Sequence, residues 1–352
     1  MHSSTSSSSA ITYVRSPPKL TGWRRILVST IALTAIGISC TEFYARSNGY
    51  PAIFVPSPSL WATQWYRFEE SADDQTVIIG ASRSKFGIVM DVWEQETNAR
   101  PIMIAWPGSA PHPVLHLIAE REDFRGTVIC GIAPSFSFAH PDNPHHKLLE
   151  QNLDAIDALR YSLSYHIATP VKRFLKHRLF ALNEAAFSPI HNLRRFTDLK
   201  NRDNTLHPFL PIYWMNHQED LQSVYLDSAA SNDELMGQVK DIWHRIMREQ
   251  VHYKSANMNT LIASYVEDVQ RIEKRGGRVI FVRHPSTDLF LEFEKTHYPR
   301  EDYFDRLCDE TDCFGIHFED YIETSNYNCP EWSHLTPEDA EDYTRKIIKI
   351  IS

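Results

Sequence analysis

Short apolar, β-branched runs recur along this chain, each ending in a turn. Thr76-Val77-Ile78-Ile79 stops at Gly80-Ala81-Ser82-Arg83-Ser84, and Lys85 to about Glu96 then reads as a helix. Pro101 to Ala105 gives way to Trp106-Pro107-Gly108-Ser109-Ala110, ahead of a helix from about His112 to Glu122. Thr127 to Ile132 stops at Ala133-Pro134. Far downstream, a helix over Glu267 to Lys274, a break at Gly276-Gly277 and a run from Arg278 to Val282 repeat the pattern. Alternating strands and helices leave few arrangements open, because parallel neighbours need right-handed crossovers that place helices on both faces. The expected fold is α/β, a three-layer α/β/α sandwich with a mostly parallel sheet.

Residues 140–265 do not fit a single crossover and read as a helical insertion, a lid or a surface for an envelope protein partner. Leu148 to His166, Val171 to Phe187 and Asn232 to Val251 look helical, with proline punctuation at His207-Pro208-Phe209-Leu210-Pro211. Its large aromatics Tyr213, Trp214, Tyr225 and Trp243 read as packing residues.

The other constraint lies at the N-terminal end. Ile26 to Cys40 carries no charge, follows Arg24-Arg25 and has Trp23, Phe43 and Tyr44 at its margins. A helix over Trp23 to Tyr44 reaches across a ~30 Å hydrocarbon core, with Glu42 at the far interface. A cleaved signal peptide competes, and Gly37-Ile38-Ser39-Cys40 faintly resembles a lipidation signal; the long Ser-rich lead without an Ala-x-Ala site favours an uncleaved anchor. Residues 1–25 hold Arg15, Lys19, Arg24 and Arg25 and no acid, so the net charge of −9 leaves −13 on the remainder. Positive residues ahead of the span predict a cytoplasmic N-terminus and an exported main domain, in the inner membrane of the cell. The division is a basic tail at 1–25, an anchor at 26–44, a connector at 45–72 broken by Pro51, Pro56 and Pro58, and the α/β domain at 73–352. So acidic a domain is poorly suited to nucleic acid.

Cys130, Cys308, Cys313 and Cys329 would then sit in an oxidising compartment; a Cys308–Cys313 pair and reduced core thiols are both open readings. No Cys-x-x-Cys or His-Glu-x-x-His spacing occurs, and His140, His145 and His146 are interrupted by Pro141 and Pro144 as in an exposed loop. No metal or cofactor is expected.

Ligands of an open parallel sheet bind outside the carboxyl ends of its strands. After the first strand, Gly80-Ala81 permits a sharp turn and Ser82 opens a helix, whose N-terminus favours developing negative charge. A nucleophilic serine needs a base. Cys329-Pro330-Glu331-Trp332-Ser333-His334-Leu335 offers one, with Glu331 and His334 spaced so that the carboxylate can orient the imidazole. Thr336 as N-cap and Pro337 at the first helical position fix the start of the terminal helix beside it.

Gly80-Ala81-Ser82 and the acid-x-x-His of the C-terminal end resemble the SGNH/GDSL hydrolase superfamily of lipases, esterases and envelope O-acetyltransferases. GASRSKFGI, FVRHP, IHFEDY and CPEWSHLTPEDA look most like a membrane-anchored bacterial branch of the alginate- or teichoic-acid-modifying type, over about residues 73–135 and 265–350. The resemblance implies an SGNH/flavodoxin-like fold with Ser82 as nucleophile, His334 as base and Glu331 as its acid. The N–H groups of Ser82 and Gly108 would form the oxyanion hole. One departure stands out: the third strand ends Gly131-Ile132-Ala133-Pro134-Ser135, without the Asn that relatives use as a further donor. Ser135 is a candidate substitute, and Arg83 and Arg283, each following a strand, are candidates to bind an anionic group. The implied substrate is an acylated envelope glycan or a small ester; the alternative is a non-catalytic polymer-binding or assembly protein.

Overall fold

Val77–Ile79 (β1), Ile102–Met103 (β2) and Thr127–Gly131 (β3) form where the sequence places its first three apolar runs. The computed structural model describes residues 20–50, 52–53, 56–176, 178–180, 211, 214–226, 228–255 and 257–352. Arg15, Lys19, Tyr213, the end of the helix expected over Val171 to Phe187 and most of the segment from His207 to Pro211 lie outside the described residues. The chain divides into two units, residues 1–51 and 52–352.

In the first unit, Leu20–Ser47 (α1) is long and apolar enough to cross a membrane. Its Ile26, Leu27, Val28, Ile31, Leu33 and Ile36 are exposed.

The second unit opens with Pro58–Glu69 (α2), within the stretch expected to be a connector. Pro58 occupies the first helical turn, where its missing N–H costs nothing, and Ser57 caps it by accepting from Leu60 N. Leu60, Trp61, Trp65 and Phe68 are buried, and Trp61 Nε1 donates to the Ile104 carbonyl at 2.9 Å. The proline thus starts a core helix here.

After β1 come Ser82–Gly87 (α3) and Met90–Thr97 (α4), two short helices in place of the single one expected. His112–Glu120 (α5) follows β2, and β3 leads into Pro134–Ser137 (α6), His146–Arg160 (α7) and Leu163–Lys176 (α8). The insertion is not purely helical. Met215–His217 (β4) and Ser223–Tyr225 (β5) pair antiparallel, and Asp233–Gln250 (α9) is capped by Asn232. Met258–Glu273 (α10) returns the chain to Arg278–Arg283 (β6), followed by Asp288–His297 (α11), Phe304–Thr311 (α12), Phe314–His317 (β7) and Pro337–Ile351 (α13).

Among the described residues the main sheet has five strands in the order β2-β1-β3-β6-β7, every neighbouring pair parallel. Val77, Ile78 and Ile79 are all fully buried although successive side chains point to opposite faces, so both faces are covered. On one side α10 packs on α5 and α12; elsewhere α13 packs on α3 and α4. The chain leaves β1 for β2 and then crosses back to β3, which puts the switch in strand order beside the carboxyl end of β1. Ser82 stands there.

Candidate active site

Gly80 sets the turn between β1 and α3. Its φ is +135°, and a Cβ on it would lie 2.3 Å from Ser84 Oγ and 2.8 Å from the Gly131 carbonyl, so neither the backbone nor the space admits a side chain. Ser82 follows as the first residue of α3, half-buried. Being at that position, its N–H has no acceptor within the helix.

From the other end of the chain, Thr336 caps α13 by accepting from Asp339 N, and this fixes the loop that carries His334 and Glu331. Within the loop Trp332 takes φ +75°, an uncommon conformation for a bulky residue. That reversal lets Glu331 and His334 meet. His334 Nδ1 lies 2.8 Å from Glu331 Oε1 and His334 Nε2 lies 2.8 Å from Ser82 Oγ. A tautomer protonated at Nδ1 donates to the carboxylate and leaves Nε2 to accept the serine proton.

Glu331 is fully buried and accepts three hydrogen bonds. Besides His334, the Tyr225 hydroxyl donates to Oε1 at 2.6 Å and Trp243 Nε1 donates to Oε2. Burial alone would push its carboxyl up; the His334 charge and these three hydrogen bonds outweigh it and hold the group below the usual Glu value. Burial, with the Glu331 charge added, pushes the Tyr225 hydroxyl well above its ordinary value, so Tyr225 remains a donor. Both aromatics read from sequence as packing residues are thus partners of the acid. Their polar ends are the signal, since a buried Tyr O–H or Trp N–H needs an acceptor.

Phe86, one turn beyond Ser82 on α3, stacks on the His334 ring with centroids 4.3 Å apart, and packs against Trp214 and Tyr225 in a small apolar cluster. This ties the insertion to α3. Ser84 and His284 make a second Ser–His contact at 3.2 Å, but both are buried, and His284 Nδ1 lies 3.2 Å from the Tyr343 hydroxyl. That pair fastens the sheet and has no route to substrate.

The structure places the three other candidate residues away from the lining of the cavity at Ser82. Arg83 and Arg283 are 4% and 2% exposed and converge on Glu294, at 3.0 Å and 2.5 Å, and neither lines the cavity at Ser82. Arg83 also donates to Ser333 Oγ at 3.2 Å, bracing the His334 loop from within. Ser135 is buried, and its Oγ meets no partner among the described atoms; its neighbour Phe136, not Ser135, lines the cavity at the site.

That cavity, of about 200 Å³, is lined by Ser82 and His334 and by Pro107 and Gly108 among others. Gly108 has φ +67° in the turn after β2 and places its backbone at the cavity wall. The insertion supplies Trp214, Met215, His217, Ser223, Trp243 and Ile246. His217 Nδ1 lies 2.8 Å from Ser223 Oγ, and His145, assigned from sequence to an exposed loop, lines the cavity beside Gly108. Among the described residues, no three His, Cys, Asp or Glu side chains are grouped to hold a metal. All five cysteines are free thiols; burial pushes Cys308 and Cys313 each up to about 12.

The chain matches no protein-family model and no curated protein.

Proposed function

We propose that this chain is a membrane-anchored serine ester hydrolase or O-acyltransferase of the SGNH kind. It would act, outside the cytoplasmic membrane, on an acyl group carried by an envelope glycan or a similar hydroxylated molecule. The observation that carries the reading is the continuous relay from Ser82 through His334 to Glu331, opening on a cavity. A purely binding protein has no need of a serine within 2.8 Å of an imidazole whose other nitrogen faces a buried carboxylate. The parallel sheet between two groups of helices fits the three-layer sandwich, and α1 preceded by Arg24-Arg25 suits a signal anchor with its N-terminus inside.

In this reading Ser82 Oγ attacks the acyl carbonyl carbon while its proton passes to His334 Nε2, and Glu331 balances the imidazolium. The oxyanion forms against the Ser82 and Gly108 N–H groups, each such donor contributing roughly 3 kcal/mol. With Ser135 outside the cavity lining, the hole rests on backbone donors. Collapse expels the alcohol with the proton from His334 and leaves an acyl ester on Ser82, which water or a sugar hydroxyl resolves.

A fluorophosphonate probe tests this on the detergent-purified full chain. Ser82 becomes labelled, and Ser82→Ala and His334→Gln lose labelling. Equal labelling of wild type and Ser82→Ala rejects the mechanism, and a parallel assay of hydrolysis and transfer to a sugar acceptor separates the two activities.

A further inference from the structure

We infer that the acyl group taken by this site is an alkyl chain longer than acetyl. The inference rests on the acyl-chemistry reading above and specifies its substrate.

The cavity walls carry the argument. Beyond Ser82 and His334 they are built from Phe86, Phe136, Trp214, Trp243, Ile246 and Phe290, with Pro107 and Met215. Among the described residues lining it there is no Asp, Glu, Asn, Gln, Lys or Arg. A sugar ring presents hydroxyls on every side and needs such groups to replace its water, because a desolvated hydroxyl without a partner is costly. The four polar side chains that remain, His145, His217, Ser223 and Ser333, are too few, and two of them already bond each other.

Nor are the tryptophans sugar platforms. Trp214 is 1% exposed and stacks on Phe86 with planes 16° apart, and Trp243 is held by its bond to Glu331. The sugar or other hydroxylated group therefore belongs outside, at the mouth, with the acyl chain within. At the packing density of protein interiors, about 0.74, a cavity this size encloses roughly six to eight carbons. Acetyl would leave most of it empty and its walls without partners.

Ile246 is the residue to change. It lines the cavity from α9 and, unlike Trp243, makes no bond to the acid. The test uses the full chain in nanodiscs with p-nitrophenyl acetate, butyrate, hexanoate, octanoate and dodecanoate. We expect kcat/KM to climb about fourfold per added methylene, the desolvation gain of a CH₂ group, until the cavity is full, and then to level or fall. Ile246→Trp should lower the octanoate-to-acetate ratio at least tenfold, and Ile246→Ala should move the optimum to longer chains.

Fluorophosphonate labelling in the same samples separates the two claims. A labelled enzyme that prefers acetate, or shows no chain-length trend, overturns the inference and leaves the hydrolase reading standing. If nothing is labelled, tryptophan fluorescence of Ser82→Ala titrated with octanoate and acetate decides the pocket alone. Saturable octanoate binding that Ile246→Trp abolishes supports it; no preference for octanoate overturns it.

Discussion

Tyr225 donates its hydroxyl hydrogen to Glu331 Oε1, 2.6 Å away, the same oxygen that faces His334 Nδ1. The contact joins the second strand of the insertion hairpin to the acid of the relay, across 106 positions of sequence. Hydrogen bonds to charged groups contribute about 1.5–3 kcal/mol, so Tyr225→Phe should lower kcat about tenfold with little change in KM. Losing a donor also raises the carboxyl pKa of Glu331, and the acid limb of the pH–rate profile should move to higher pH. A profile superimposable on wild type would show that Tyr225 only packs.

The Arg83–Glu294–Arg283 cluster is buried on all three sides. Glu294→Gln leaves two guanidiniums without their counter-charge and should destabilise the fold by about 3–5 kcal/mol. Urea unfolding of the detergent-solubilised chain measures this, and a loss below about 1 kcal/mol would contradict the role given to Glu294.

Lys85 is fully buried on α3, with Nζ lacking a hydrogen-bond partner among the described atoms and lying 5.5 Å from the Trp106 ring centroid. Burial brings its ammonium down to about 7. Between that pH and the ordinary lysine value the unfolded chain holds a proton the folded one lacks, so stability rises with pH across this window. Lys85→Met should remove the slope and stabilise the fold at pH 7 by on the order of a few kcal/mol. Melting temperatures from pH 7 to 10 for both proteins check it.

Acid should act in the same sense through His284, which burial and the Arg283 and Arg83 charges bring down to about 3. Its folded pKa is below its unfolded one, so stability is lost as pH falls from about 6.5 toward 3. His284→Gln, which has no proton to take up, should show a shallower decline of the denaturation midpoint between pH 6.5 and 4.

What could be read in advance divides along physical lines. The runs at Val77, Ile102, Val128 and Val279 are legible because a buried parallel strand needs continuous apolar residues, and the Ser82 turn because its small residues leave the backbone few choices. Phe314–His317 escaped because Gly315 interrupts it and Phe314 is exposed at the sheet edge. Pro58 misled because the same residue breaks a helix interior and begins a helix. Local spacing could nominate Glu331 and His334. It could not show that Trp243 and Tyr225, each about 90 to 106 residues away, would close on the carboxylate.

The insertion contributes to two functions at once. Its hairpin and α9 wall the cavity, and from the same two elements Tyr225 and Trp243 reach the acid. Loops on open α/β sheets are ordinarily interchangeable, which lets one framework acquire new substrates. Here exchange is constrained: replacing this segment also removes two of the donors that, with His334, hold the Glu331 carboxyl below its usual value. Under the proposed function, a change of specificity would then proceed through single wall residues such as Ile246, which line the cavity without bonding Glu331.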